Sequence, residues 1–312
     1  MSERTAHPFD LPPPGFIQVV EVGPRDGLQN EPQTLPPALR TEFIRRLAGA
    51  GVSELEGVSF VRPDRLPQMA GAEEVLADVR PADVALAGLV LNERGFERAR
   101  AAGLGWVRYA FPVSEAFAQR NQNSSVGAGL ELAGVLVGRA REAGMRVGVV
   151  LSTAFGCPFE GPIAPGRALK LAEKVAALSP DELVFADTIG AGGPRAVREV
   201  LGEAARWQVA GMRLGGHFHN TRNTGYANAL AAVEAGAGSL DASLGGLGGC
   251  PFAPRASGNV ATEDLAYLLR ELGLETGLDL GGLLEVNRWL GEGLGHELPG
   301  MLGRAGDFGG PR

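Results

Sequence analysis

GFIQVVEVGPRDGLQNEP, residues 15–32, is the stretch on which the fold turns. Its first half is a short apolar run of strand character. Its second half crowds Glu21, Arg25, Asp26 and Gln29 between Gly23, Pro24 and Gly27. Gly, Pro and Asp are ordinary turn residues, so in isolation the stretch reads as a strand and a turn. The rest of the chain repeats the pattern. Apolar runs recur at VSELEGVSF (52–60), DVALAGLVLN (83–92), GWVRYAF (105–111), MRVGVVLST (145–153), ELVFADT (182–188), LGGHFHN (214–220) and AGSLDASL (237–244). Segments of helical period lie between them. In PPALRTEFIRRLAGAG (36–51), Leu39, Phe43, Ile44 and Leu47 are spaced for one face, and PGRALKLAEKVAALSP (165–180) is similar.

Eight strands alternating with helices predict a closed parallel (β/α)8 barrel of the α/β class. A doubly wound open sheet would use the same elements, but no GxGxxG follows a strand. Extra C-terminal helices follow the eighth strand, the first being TEDLAYLLRELG (262–273), with Thr262 as its expected cap. We read residues 1–15 as an N-terminal extension and 16–312 as the barrel with its helical tail. The repeat is architectural, without self-similarity in sequence.

With 29 basic and 36 acidic residues, net −7, the chain lacks the electrostatics of a nucleic-acid or membrane-surface binder. The lysines are Lys170 and Lys174 alone. Two cysteines, Cys157 and Cys250, in Gly/Pro-rich loops make no disulfide scaffold and suggest a reducing compartment. The N-terminal segment has no apolar signal core, and no run reaches the ~18 apolar residues of a membrane helix. The expectation is a cytoplasmic protein.

In such a barrel the chemistry sits at the C-terminal ends of the strands. Polar residues gather there: Asp26 after the first, Glu56 and Ser59 at the second, Asn92 at the third, Ser114 after the fourth, Asp187 at the sixth, and His217 and His219 at the seventh. Burying many polar groups together is costly unless they share a task. Side chains two apart on a strand point the same way, so HFHN directs both imidazoles to one place, as a metal ion requires. Asp26 is the best anionic partner, since the first strand lies one removed from the seventh around a closed ring. Two imidazoles with oxygen ligands and no thiolate pair favour Mg²⁺ or Mn²⁺ over structural zinc. SLGGLGGCPFAPRASGN (243–259) is a glycine-rich loop in which Cys250 could serve as an acid or base over the site. Cys157, in FGCPFEG, has the weaker claim.

Taken together, EVGPRDGLQNEP, SFVRPDRLPQM, FGCPFEG, DTIG, HFHNT and GGLGGCPFAPRASGNVATEDL resemble the 3-hydroxy-3-methylglutaryl-CoA lyases, within a larger group of metal-dependent barrel lyases and synthases. The matching stretches run in order from about residue 16 to 272. The resemblance implies a TIM barrel, a metal held by Asp26, His217, His219 and Asn259, and Arg25 polarising the acyl carbonyl. It also implies support from Glu56, Gln29 and Asp187, a catalytic loop carrying Cys250, an acyl-CoA substrate and a homodimer. The implied reaction is retro-Claisen cleavage, with Asp26 or His217 taking the hydroxyl proton and Cys250 protonating the enolate carbon. The chain departs from the family at Asn220 and in TRNTGYAN (221–228), which bears on the substrate; citramalyl-CoA and isohexenylglutaryl-CoA are cleaved by relatives. A Claisen condensing synthase and a non-catalytic CoA-ester or metal binder are the alternatives. The chain is short for the former, and the intact ligand set argues against the latter.

Overall fold

A computed structural model describes residues 15–79, 84–249 and 258–308. Strands β1 (Gln18–Glu21), β2 (Glu54–Ser59), β3 (Ala85–Val90), β4 (Trp106–Pro112), β5 (Arg146–Ser152), β6 (Glu182–Asp187), β7 (Arg213–Phe218) and β8 (Ser239–Ala242) close into one parallel ring. The seam is β1 against β8, with Gln18 opposite Ser239 and Glu21 opposite Ala242. The predicted barrel is therefore the fold observed. Helices α1 (Pro37–Gly49), α2 (Ala72–Asp78), α3 (Glu93–Ala101), α4 (Val126–Glu142), α5 (Pro165–Ala176), α6 (Pro194–Ala205), α7 (Gly225–Glu234) and α8 (Thr262–Glu271) wrap the ring, and α9 (Leu280–Leu294) packs beyond α8. No helix among the described residues is long and apolar enough to cross a membrane.

The main apolar core lies between sheet and helices. On α1, Phe43, Ile44 and Leu47 are buried as their spacing predicts, each burial stabilising by ~1.5–3 kcal/mol. Leu39 is 41% exposed instead, and Arg40 turns inward, donating from Nη1 to the Ala70 carbonyl at 2.8 Å. Two further expectations are corrected. Asn92 lies past β3 and caps α3, its side chain accepting from the Gly95 amide. Thr262 is the first residue of α8 rather than its cap, and its hydroxyl donates to Glu21 Oε2 at 2.6 Å.

The barrel interior is unusual in its charge. Arg108 from β4, Arg146 from β5 and Arg213 from β7 are buried there against Glu54 and Glu56 from β2, Glu182 from β6 and Asp241 from β8. Arg108 contacts Glu56 at 3.4 Å and Asp241 at 2.9 Å, and its Nε donates to Glu182 at 3.0 Å. Space for these side chains comes from missing ones: a Cβ on Gly148 would lie 2.9 Å from Glu182 Oε2 and 3.3 Å from Arg108 Cγ. Val20, Val22, Ala87 and Trp106 form a small separate apolar cluster, and Arg146 stacks on the Trp106 ring at 4.0 Å.

Candidate active site

After β1 the backbone makes a single turn of π-helix, Gly23–Gly27, in which the Val22 carbonyl accepts from the amides of Arg25, Asp26 and Gly27. Such turns are frequent at functional sites. Close approach explains the glycine at its start, because a Cβ on Gly23 would lie 2.6 Å from Glu21 Oε1. The turn brings Arg25 and Asp26 side by side. Arg25 donates through Nε to Glu56 and through Nη1 to Asp26, with Gln29 Oε1 at 3.4 Å. Gln29 in turn donates to Asp26 Oδ1 at 2.9 Å.

His217 ends the inward face of β7, and His219 lies just beyond it. A short antiparallel bridge between His219 and Asn259, in which the Val260 amide donates to the Phe218 carbonyl and the Asn220 amide to that of Gly258, carries Asn259 to the same place. Ligand atoms of Asp26, His217 and His219 all lie within 4.8 Å of one another, and all three residues are buried. Asn259 Nδ2 donates to Asp26 Oδ2 at 2.8 Å and to the Leu247 carbonyl at 3.0 Å, which leaves Asn259 Oδ1 buried without a hydrogen-bond partner. An orphaned amide oxygen beside a carboxylate and two imidazoles fits a divalent cation, since each supplies a lone pair and none is a thiolate.

Electrostatics agree with that use. Burial opposes ionisation of Asp26, but Arg25 and the two imidazoles outweigh it and hold the carboxyl at about 2. Burial, reinforced by neighbouring His217, lowers His219 to about 4 and keeps it neutral, as a ligand must be. For His217, burial is outweighed by the hydrogen bond and charge of Asp241, so its pKa is raised and a bound cation would displace its proton. Asp187, at the end of β6, accepts from the Ala191 and Gly192 amides, and burial raises its pKa.

The structure thus brings together Arg25, Asp26, Gln29, Glu56, His217, His219 and Asn259. Ser59 is buried and accepts from the Val61 amide. Ser114 caps a short helix, Glu115–Phe117, and donates to Glu160 at 2.7 Å with Cys157 Sγ at 2.9 Å; these bonds tie it to the loop after β5 rather than to Asp26. Cys250 lies outside the described residues. Two residues that the motifs did not reveal, Arg108 and Asp241, contact the site from below. Their signal was there to read: each is a lone charged residue within an otherwise apolar strand, and such a residue, facing a barrel interior, must find a partner.

The profile of the family described as HMGL-like matches residues 16–290. The chain belongs to that family. Its relatives include the (R)-citramalyl-CoA lyase of Chloroflexus aurantiacus, 42% identical and covering 93% of this chain and 95% of that one. The hydroxymethylglutaryl-CoA lyase of Pseudomonas mevalonii is 44% identical over 86% of this chain and 90% of its own. Among solved structures of the family, an HMG-CoA lyase from Acinetobacter baumannii, in complex with coenzyme A and 3-methylmalate, superposes with a TM-score of 0.89 at 35% identity, covering 96% of this chain and 97% of that one. These HMGL-like relatives are carbon–carbon lyases, and the barrel described above is their fold.

Proposed function

We infer that the protein is a divalent-metal-dependent lyase that cleaves 3-hydroxy-3-methylglutaryl-CoA to acetyl-CoA and acetoacetate. The observation that carries the reading is the unpartnered Asn259 Oδ1 beside Asp26, His217 and His219, with Arg25 adjacent. Those four residues would hold Mg²⁺ or Mn²⁺, which when bound supplies a Lewis acid that lowers the pKa of the substrate hydroxyl.

Cleavage requires the C3 hydroxyl to lose its proton, the C2–C3 bond to break, and the electron pair to pass onto the thioester enolate. Asp26 is the ligand that keeps spare lone pairs to accept the proton, whereas His217 can take that part only while its Nε2 is off the ion, since its Nδ1 faces Asp241. Arg25 is fixed at Nε and Nη1 by Glu56 and Asp26; among the described residues nothing bonds its Nη2, which leaves that N–H pair to serve the oxygen where charge develops. Gln29 and Glu56 hold Arg25 and Asp26 in place. We assign Ser59, Ser114 and Asp187 to the substrate side only on their places at or just after the ends of β2, β4 and β6, and Cys250 donates the proton that completes acetyl-CoA. We place the enzyme in the cytoplasm as a homodimer, on its cysteine usage and family resemblance.

The 42% identity to a citramalyl-CoA lyase favours a second substrate of the same class. A product assay separates the two. Metal-stripped, thiol-reduced protein receives each CoA ester with and without Mg²⁺ or Mn²⁺. Metal-dependent acetyl-CoA with acetoacetate establishes the first reading, and acetyl-CoA with pyruvate from citramalyl-CoA the second. Failure of both, or undiminished turnover by Asp26→Asn or His217→Ala, overturns the proposal. Release of acetyl-CoA with no 2-oxo acid added excludes the condensing synthase.

A further inference from the structure

We propose that Asp241 is a positioning residue that holds His217 in the one tautomer able to bind metal, and that Arg108 is what makes Asp241 able to do so. The inference rests on the metal site proposed above and concerns residues outside it.

Asp241 lies on β8 and uses both oxygens. Its Oδ1 accepts from Arg108 Nη2 at 2.9 Å, and its Oδ2 accepts from Arg108 Nη1 at 3.0 Å while facing His217 Nδ1 at 3.1 Å. A carboxylate paired with a guanidinium is ionised and can only accept. His217 Nδ1 must therefore carry the hydrogen, and the lone pair is left on Nε2, the nitrogen that faces His219 Nε2 at 3.2 Å. His219 has no such anchor: its Nδ1 is buried with no partner. One imidazole of the pair is oriented by the protein and the other is left to be oriented by what it binds. Arg108 adds a second link, because Nη1 also reaches Glu56 Oε2 at 3.4 Å, and Glu56 holds Arg25. A single fully buried guanidinium thus braces both the ligand His217 and the cationic Arg25.

Replacing Asp241 by Asn makes the argument testable. The amide has one acceptor where the carboxylate had two. If its oxygen stays toward His217, its NH₂ confronts the Arg108 Nη2 donor. If it flips to satisfy Arg108, its NH₂ faces His217 Nδ1, which must then accept, moving the ring hydrogen to Nε2 and blocking the metal's lone pair.

The experiment is Mn²⁺ titration of the stripped protein by calorimetry, combined with ¹⁵N-histidine NMR of the Mg²⁺-loaded protein, where long-range couplings report which ring nitrogen bears hydrogen. Asp241→Asn is expected to weaken Mn²⁺ binding ~10–100-fold. Glu54→Gln, at the far end of the same buried charge network, is expected to lower the melting temperature but to change Mn²⁺ affinity less than ~2-fold, since it touches neither His217 nor Arg108. Wild-type affinity in Asp241→Asn, or an equal loss in Glu54→Gln, overturns the proposal. If Asp241→Asn does not fold, the wild-type spectrum still decides: hydrogen on His217 Nδ1 supports the assignment, and hydrogen on Nε2 refutes it. A wild-type protein that binds no Mn²⁺ refutes the metal site itself.

Discussion

In the cleavage proposed above, Arg25 shows how few atoms the chemistry would depend on and how fully they are constrained. Its Nε and Nη1 are committed to Glu56 and Asp26, so the direction of the guanidinium is set before substrate arrives. Substitution Arg25→Gln should lower kcat by ~10²–10³ and change KM less than ~3-fold, because the stabilisation belongs to developing charge rather than to the bound ester. Steady-state kinetics on the better of the two CoA esters checks this; a loss confined to KM would reassign Arg25 to ordinary binding. At this scale the sequence was legible where residue type alone announces a shared place, as with Asp26, His217 and His219, which the structure brings together. It was silent where meaning comes from a partner far along the chain. Nothing around Asp241 marks it as the neighbour of His217 and Arg108, since the contact with Arg108 spans 133 residues.

At the scale of elements, the π-turn after β1 and the chain after β8 share one anchoring system. Glu21 Oε1 accepts from the amides of Gly23 and Leu244, and Glu263 accepts from the Gly245 amide and from Asn287. Gly23→Ala would push a methyl against Glu21, so we expect ~1–3 kcal/mol loss of stability in denaturant titration and a parallel loss of activity. Burial raises Glu21 to about 7 and Glu263 to about 8, more than their hydrogen bonds lower them. Both carboxyls are therefore proton-richer in the folded chain than in the unfolded one. Their stabilisation is complete below the ordinary Glu value of ~4.3 and is lost as pH rises through about 7 and about 8. The melting temperature should fall between those limits, and Glu263→Gln should flatten the fall; an identical slope in that variant would count against it. Strands and helices were readable from their periods, while the π-turn was not. It is made by three amides converging on one carbonyl, which no residue pattern announces.

For the whole molecule, the ring was predictable from alternation alone, but its charged interior was not. Barrel interiors are commonly filled by branched apolar side chains. Here Glu182 meets Arg108 and Arg213, with Ser239 donating to it at 3.2 Å. Glu182→Gln should destabilise the fold by ~3–5 kcal/mol, since it leaves two buried guanidinium groups short of charge. The loss should persist at high salt, because buried pairs are poorly screened. Denaturant titrations at two ionic strengths test both statements.

The closing seam also has a consequence for how the protein is made. Asp26 emerges early in synthesis, yet the Asn259 amide that holds it lies 233 residues later. At ~5–20 residues per second, translation leaves that carboxylate without its amide for some ~10–50 seconds. A cation gripped by both sides would then act as a clasp on the newborn chain, rewarding only the ring that has come fully round.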